Sequence, residues 1–156
     1  MRIGYGYDVH RLVKNRRFIL CGVEIPCEFG PDGHSDADVA LHALMDAMLG
    51  ALALGDIGKH FPDTDEKWRG ADSIKLLQVI YEMISAKGYK LGNADITIVL
   101  QTPRLAPYIE QMRQRIATAL SSDIGTISIK ATTEEKLGFT GDSTGVSATA
   151  VVLLQN

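Results

Sequence analysis

The first ten residues, MRIGYGYDVH, alternate without a break. Ile3, Tyr5, Tyr7 and Val9 fall on one side, and Gly4, Gly6, Asp8 and His10 on the other. A period of two is the signature of a strand with two distinct faces. The chain must therefore begin in a sheet. One face of that strand is apolar and aromatic. The other carries two residues with no side chain, followed by a carboxylate and an imidazole.

Further elements follow the same logic. Phe18 to Ile25 reads as a second strand, broken by Gly22, after the polar turn VKNRR. A glycine-rich loop, EFGPDGHSDAD, leads into a helix that Ser35 or Asp36 can cap. Asp38 suits the positively polarised first turn of that helix. Leu41, Leu44, Met45, Met48 and Leu52 give it an apolar stripe, and Gly55 is a natural stop. Its apolar character extends nearly all round, which predicts deep packing. The polar stretch GDIGKHFPDTDEKWRG reads as a long loop, and loops of that length in a compact domain are often functional. Asp72 or Ser73 opens a second helix, with Ile74, Leu77, Ile80 and Ile84 facing in and Gly88 at its end. A strand spans 94–100. The loop QTPRLAP leads to a helix with Ile109, Met112, Ile116 and Leu120 on one face. Strands at 126–132 and 146–154 close the chain.

Strands and helices do not alternate strictly, which predicts an α+β fold. The expected architecture is a single-domain sandwich over residues 1–156, with a mixed or antiparallel sheet and helices on one face. The other face lacks cover: Ile3, Val99, Ile127 and Val151 cannot all be buried within one such chain. That shortage predicts self-association.

Composition excludes several classes. The net charge of −3 argues against a dedicated nucleic-acid binder. The longest apolar run, Ala47 to Leu54, contains Gly50 and is far short of a membrane span. The N-terminus lacks a charged start followed by an apolar run, so no signal peptide is expected. Cys21 and Cys27 fit no common zinc or redox spacing and read as reduced residues of a cytosolic protein.

Asp8 and His10 share a strand face and suit zinc, although a plain Asp–His hydrogen bond would use the same pair. His42 sits on an apolar helix with Asp46 one turn later. Asp46 could accept its second ring N–H and fix the tautomer. An Asp–His–His set leaves the fourth position open, as catalytic zinc sites do. His34 stands in the loop before that helix, where backbone N–H groups favour anions. His60 reads as a solvated loop residue. In KATTEEKLGFTG, Thr132 and Thr133 offer donors, and Glu134 and Glu135 offer carboxylates that could hold Mg²⁺. A polar strand-end turn would look the same.

Taken together, GYDVHRL, GHSDADVALHALMDAMLGALALGDIGKHFPDTD, LGNADITI, QTPRLAPYI and KATTEEKLGFTG resemble the 2-C-methyl-D-erythritol 2,4-cyclodiphosphate synthase family. The resemblance spans nearly the whole chain in order. It implies a cytoplasmic homotrimeric phosphorus–oxygen lyase of non-mevalonate isoprenoid biosynthesis, with active sites between subunits and no nucleic-acid or membrane partner. The implied substrate is a cytidine-diphosphate methylerythritol bearing a 2-phosphate. That phosphate attacks the β-phosphorus, CMP leaves and a cyclic diphosphate forms. The resemblance assigns one zinc per subunit to Asp8, His10 and His42, and a Mg²⁺ or Mn²⁺ to Glu135. It credits His34 and Thr133 with stabilising the transition state, and Ser35 with binding phosphate. Asp56, Ile57 and Gly58 match positions around the methylerythritol, with Phe61, Pro62, Asp63, Thr64 and Asp65 closing over it. Leu100, Gln101, Thr102, Pro103, Arg104, Leu105 and Ala106, with Ala131, Thr132 and Thr133, match the cytidine pocket of the adjoining subunit. Phe139 matches a further substrate-contacting position.

The chain departs from the family at two places. Asp142, in FTGDSTG, stands where Arg is frequent, so no phosphate-binding role is carried over there. Glu134 stands where a smaller polar residue is frequent, which puts two carboxylates side by side. Two other readings use the same residues: a zinc phosphoesterase releasing linear products, and a trimeric nucleotide- or isoprenoid-binding protein with structural zinc. Three protein ligands count against the latter, because structural zinc takes four.

Overall fold

A computed structural model describes residues Met1–Asn156. The strands are β1 (Arg2–Lys14), β2 (Phe18–Leu20), β3 (Val23–Ile25), β4 (Phe29–Pro31), β5 (Lys90–Val99), β6 (Ile127–Thr132) and β7 (Gly145–Gln155). The helices are α1 (Val39–Ala51), α2 (Ile57–His60), α3 (Ser73–Ala86), α4 (Ile109–Ala119) and α5 (Gly138–Gly141). Five strands form one sheet in the order β4-β1-β7-β5-β6. The β5–β6 pair is parallel and the other three pairs are antiparallel, so the sheet is mixed, as expected.

The alternation of β1 decides how the layers meet. Gly4 and Gly6 turn toward α1, and a Cβ on either would overlap the α1 backbone at the carbonyl of Ala47 or Ala43. Two absent side chains thus let α1 lie directly on the sheet. Two residues further along, Asp8 and His10 emerge on the same face beside the helix. α1 is buried on nearly every side, as its composition predicts, and α3 packs against it. Asp38, not Ser35 or Asp36, caps α1, accepting from the Leu41 N–H at 3.1 Å. The helix ends before Gly55, because Ala53 takes the left-handed conformation with φ 55°.

Three other expectations change. The segment 18–25 is not one strand: Cys21 and Gly22 both have positive φ and make a two-residue turn, giving the separate β2–β3 hairpin. The loop after α1 contains α2 and a 3₁₀ turn at Glu66–Trp68, each begun by a capping aspartate, Asp56 and Asp65. Ile127 is buried within the single chain, because it faces the helices. The uncovered face is instead made of Ile3, Tyr5, Tyr7, Val9 and Val151. Ile3 is 73% exposed and Tyr5 63%.

Candidate functional site

Asp8 and His10 are presented by β1, and His42 reaches them from the second turn of α1. Their nearest atoms form a tight triangle. His42 Nδ1 lies 2.9 Å and His10 Nε2 3.0 Å from Asp8 Oδ2, and the two ring nitrogens are 3.2 Å apart. A tetrahedral zinc about 2.0–2.1 Å from each ligand would space them by roughly 3.3 Å. The donor set and the spacing both fit a divalent metal with one position left for a ligand.

Each imidazole is held from behind. His10 Nδ1 donates to the Asp32 carbonyl at 2.8 Å, which leaves Nε2 facing the triangle. Gly33 allows this approach, because a Cβ there would press on the His10 ring. His42 Nε2 lies 3.2 Å from both Ser35 Oγ and Ser73 Oγ. Asp46 does not hold His42. Its Oδ1 accepts from the Ile57 N–H at 2.8 Å, so it fastens α2 to α1 instead. Arg16 pins the loop that carries His34 and Ser35. Its guanidinium donates to the carbonyls of Pro31 (3.0 Å), Gly33 (2.5 Å) and Ser35 (3.1 Å).

Charges in the cluster are strongly coupled. Burial would raise the Asp8 carboxyl, but hydrogen bonds and charge from His10 and His42 outweigh it and bring the pKa down to about 2. Burial would lower His10, but the Asp8 carboxylate outweighs it and the imidazole is raised above its ordinary value. Burial also raises Asp46. It takes Asp38 up to about 6, with help from the nearby Asp36 charge.

The triangle opens into a cavity of about 450 Å³. Of the residues expected from the sequence, Asp8, His10, His34, Ser35, His42, Ile57, Gly58, Phe61 and Asp63 line it. His34 Nε2 is buried there with no hydrogen-bond partner. Asp56, Pro62, Thr64 and Asp65 are not in the lining; Asp56 caps α2 and Asp65 the following turn. Trp68 lines the cavity and packs edge-on against Phe61, with ring centroids 4.9 Å apart. Sequence reasoning missed it, although its place in the long polar loop was a signal. His60, expected as a solvated loop residue, instead ends α2 half-buried, with its ring bonded to the Leu54 carbonyl.

A second hollow, of about 330 Å³, is lined by Leu100, Gln101, Pro103, Arg104, Leu105, Ala106, Ala131, Thr132 and Thr133, with Ile109 added. The two hollows are not continuous. Asp8, Ala148, Ile98 and Ala131 lie in one row across the sheet, and the middle two are fully buried. Three interstrand steps of about 4.8 Å separate the ends of that row by roughly 14 Å. Near the second hollow, Glu134 is occupied by the Thr140 hydroxyl. Glu135 is exposed, with only a 3.3 Å bond from Thr133 Oγ1. Phe139 borders neither hollow; its ring lies close to Gly145, and it shares a third hollow with Val9 and His10. Asp142 accepts from the Thr144 N–H (2.9 Å) and hydroxyl (2.6 Å), which makes it a turn residue. No helix is long and apolar enough to cross a membrane.

The YgbB family model matches residues 1–155. The chain is 61% identical over 154 residues to the 2-C-methyl-D-erythritol 2,4-cyclodiphosphate synthase of Clostridioides difficile (strain 630), covering 99% of this chain and 96% of that one. A solved structure of a 2C-methyl-D-erythritol-2,4-cyclodiphosphate synthase in its CDP-bound form superposes with a TM-score of 0.91 at 41% identity, over 99% of this chain and 100% of that one. The bifunctional IspDF of Campylobacter jejuni superposes with a TM-score of 0.95 at 43% identity, over 98% of this chain and 42% of the longer protein.

Proposed function

This chain belongs to the YgbB family, the 2-C-methyl-D-erythritol 2,4-cyclodiphosphate synthases, and from that premise we propose how its residues carry out the cyclisation. The substrate is 4-diphosphocytidyl-2-C-methyl-D-erythritol 2-phosphate. An oxygen of the 2-phosphate bonds to the β-phosphorus. The bond from that phosphorus to the bridging oxygen breaks, and that oxygen leaves on CMP. Nucleophile and electrophile share one molecule, so no protein nucleophile is needed. Folding the substrate onto itself and offsetting the charge of crowded phosphates supply the rate.

The observation that carries this reading is the Asp8–His10–His42 triangle at the floor of a cavity whose wall holds an unpartnered buried nitrogen, His34 Nε2. Zinc bound by the triangle would draw charge from a phosphoryl oxygen at its open position. His34 and Ser35 contact the adjoining phosphate, and Gly58 with Phe61, Asp63 and Trp68 surrounds the methylerythritol. Asp56 and Ile57 act through the placement of α2, and Pro62, Thr64 and Asp65 belong to the segment that closes over the sugar. A buried polar atom without a partner is costly, and a bound phosphate would satisfy it.

The second hollow takes the cytidine. Leu105 and Ala106 offer it apolar wall, while backbone groups of residues 100–104 and 131–133 read the base edge. Thr133 faces the transferring phosphate, and the exposed carboxylate of Glu135 beside it would hold a Mg²⁺ or Mn²⁺, which would offset phosphate charge. A buried row of core side chains separates the hollows within one chain, so a complete site joins the metal cavity of one subunit to the cytidine hollow of the next. A closed head-to-tail ring satisfies that geometry, and three copies cover the Ile3–Tyr5–Tyr7–Val9 face. The whole chain acts as one domain, as a cytoplasmic homotrimer.

Metal titration with product analysis tests the reading. Protein stripped with chelator should release no CMP, and one zinc per subunit together with Mg²⁺ should restore release. Full turnover by stripped protein would reject the metal's role.

A further inference from the structure

Behind His42, on the side away from the triangle, lies a buried chain of polar groups with no role assigned so far. Asp36 accepts the hydroxyl proton of Ser73 on Oδ1 and the Ser73 backbone N–H on Oδ2, the latter at 2.9 Å. Its Oδ1 also faces the Asp38 N–H at 3.3 Å. Ser73, the first residue of α3, is fully buried. Its Oγ stands 3.2 Å from His42 Nε2.

Hydrogen-bond direction follows from counting protons. A serine hydroxyl has one proton, and here the Asp36 carboxylate takes it. A carboxylate can only accept. Ser73 Oγ therefore presents lone pairs alone to His42. A bare Nε2 would set its lone pair against those of the buried Ser73 Oγ, with only the Ser35 hydroxyl, 3.2 Å away on the cavity side, able to donate to it. A proton on Nε2 satisfies the buried Ser73 contact directly, and Ser35 Oγ already accepts from the Ala37 N–H. With a metal ion in the triangle, the lone pair of the ring then lies on Nδ1, the atom that faces Asp8 and His10.

We propose that Asp36, acting through Ser73, sets the tautomer of His42 and so presents Nδ1 to the metal. The two are positioning residues that touch neither substrate nor metal. The sequence separation suits the task, because the chain of bonds ties the loop before α1 and the first turn of α3 to a ligand on α1. Moving either element would disturb the ligand. The inference rests on the reading of Asp8, His10 and His42 as a metal site.

The test uses zinc-loaded full-length protein labelled with ¹⁵N-histidine, together with zinc affinities from chelator competition. In the unmodified protein, His42 should show a slowly exchanging proton on Nε2 and a metal-bound Nδ1. Ser73→Ala and Asp36→Asn should each weaken zinc binding about 10–100-fold, the usual loss when a ligand's outer hydrogen-bond partner is removed. The double variant should lose no more than the weaker-binding single one, because the two act in series. Circular dichroism and melting of the metal-free variants separate this loss from unfolding. A proton on Nδ1 of His42 in the unmodified protein overturns the proposal. Wild-type affinity in folded Ser73→Ala, or losses that multiply in the double variant, also overturns it. If neither variant folds, the spectrum of the unmodified protein decides. Failure of the unmodified protein to bind zinc would instead reject the metal site itself.

Discussion

His42 Nδ1 stands 2.9 Å from Asp8 Oδ2, although the two residues are 34 positions apart and belong to different layers of the fold. The contact exists because Gly4 and Gly6 bring α1 onto β1. The triangle therefore depends on a packing detail that begins two residues before Asp8 on the same strand face.

That dependence makes Gly6→Ala a severe change. The new methyl would overlap the Ala43 carbonyl of α1, and backbone cannot move aside as a side chain can. Overpacking of this kind costs about 1–3 kcal/mol or more. Urea unfolding should show a lowered midpoint with little change in slope, and zinc affinity should fall with it. Wild-type stability in Gly6→Ala would contradict the layer contact.

Zinc binding should tighten as pH rises. The metal needs neutral His10, and the Asp8 carboxylate raises that ring above its usual pKa. Zinc affinity should thus keep increasing above pH 6.5, with protons released on binding, as calorimetry in buffers of different ionisation enthalpy would read. In metal-stripped protein the signs differ. Asp8, depressed to about 2, contributes stability above its unfolded value of 3.8 and loses it as pH falls toward 2. His10, raised, contributes below 6.5 and loses it as pH rises through its folded value. Thermal melts of stripped protein should therefore gain most from this pair between about pH 4 and pH 6.5.

Buried Asp38 works in the opposite direction. Its folded pKa is near 6 against 3.8 unfolded, so burying its charge costs stability, and that cost grows as pH rises from about 4 to about 6. Asp38→Asn should flatten this part of the stability profile. It should also be destabilising at pH 4, where the amide can accept from only one of the two sides served by Leu41 and Gly22. An unchanged profile in the variant would locate the pH dependence elsewhere.

Much of this arrangement was legible in the sequence, and the exceptions have physical causes. Asp8 and His10 could be paired because a strand fixes the direction of every second side chain. His42 stood out as polar on an apolar helix. Asp46 was the natural guess for its partner, being one helical turn away, but the Ile57 N–H at the start of α2 claims that carboxylate. The true partners, Ser35 and Ser73, come from a loop and from another helix, and no local periodicity encodes such a meeting. The two halves of 18–25 look like one apolar run, and the turn is visible only in the backbone of Cys21 and Gly22. Trp68 joins the cavity because two capping aspartates fold a polar loop back on itself.

The exposed face of β1 gives an assembly prediction. Tyr5→Glu places a charge at the centre of the Ile3–Tyr5–Tyr7–Val9 patch and should leave the monomer folded, since Tyr5 is 63% exposed. Sedimentation should show the proposed trimer for the unmodified protein and its loss in the variant, and activity should fall with it. An active monomer would contradict a site shared between subunits.

Phosphorus NMR of the purified protein with the cytidine-linked substrate, Zn²⁺ and Mg²⁺, beside His42→Ala, tests the central claim most directly. Equimolar CMP and cyclic diphosphate should form, and the variant should yield neither. Linear phosphate products would contradict cyclisation and mark the site as hydrolytic, and undiminished turnover by His42→Ala would remove the triangle from the chemistry.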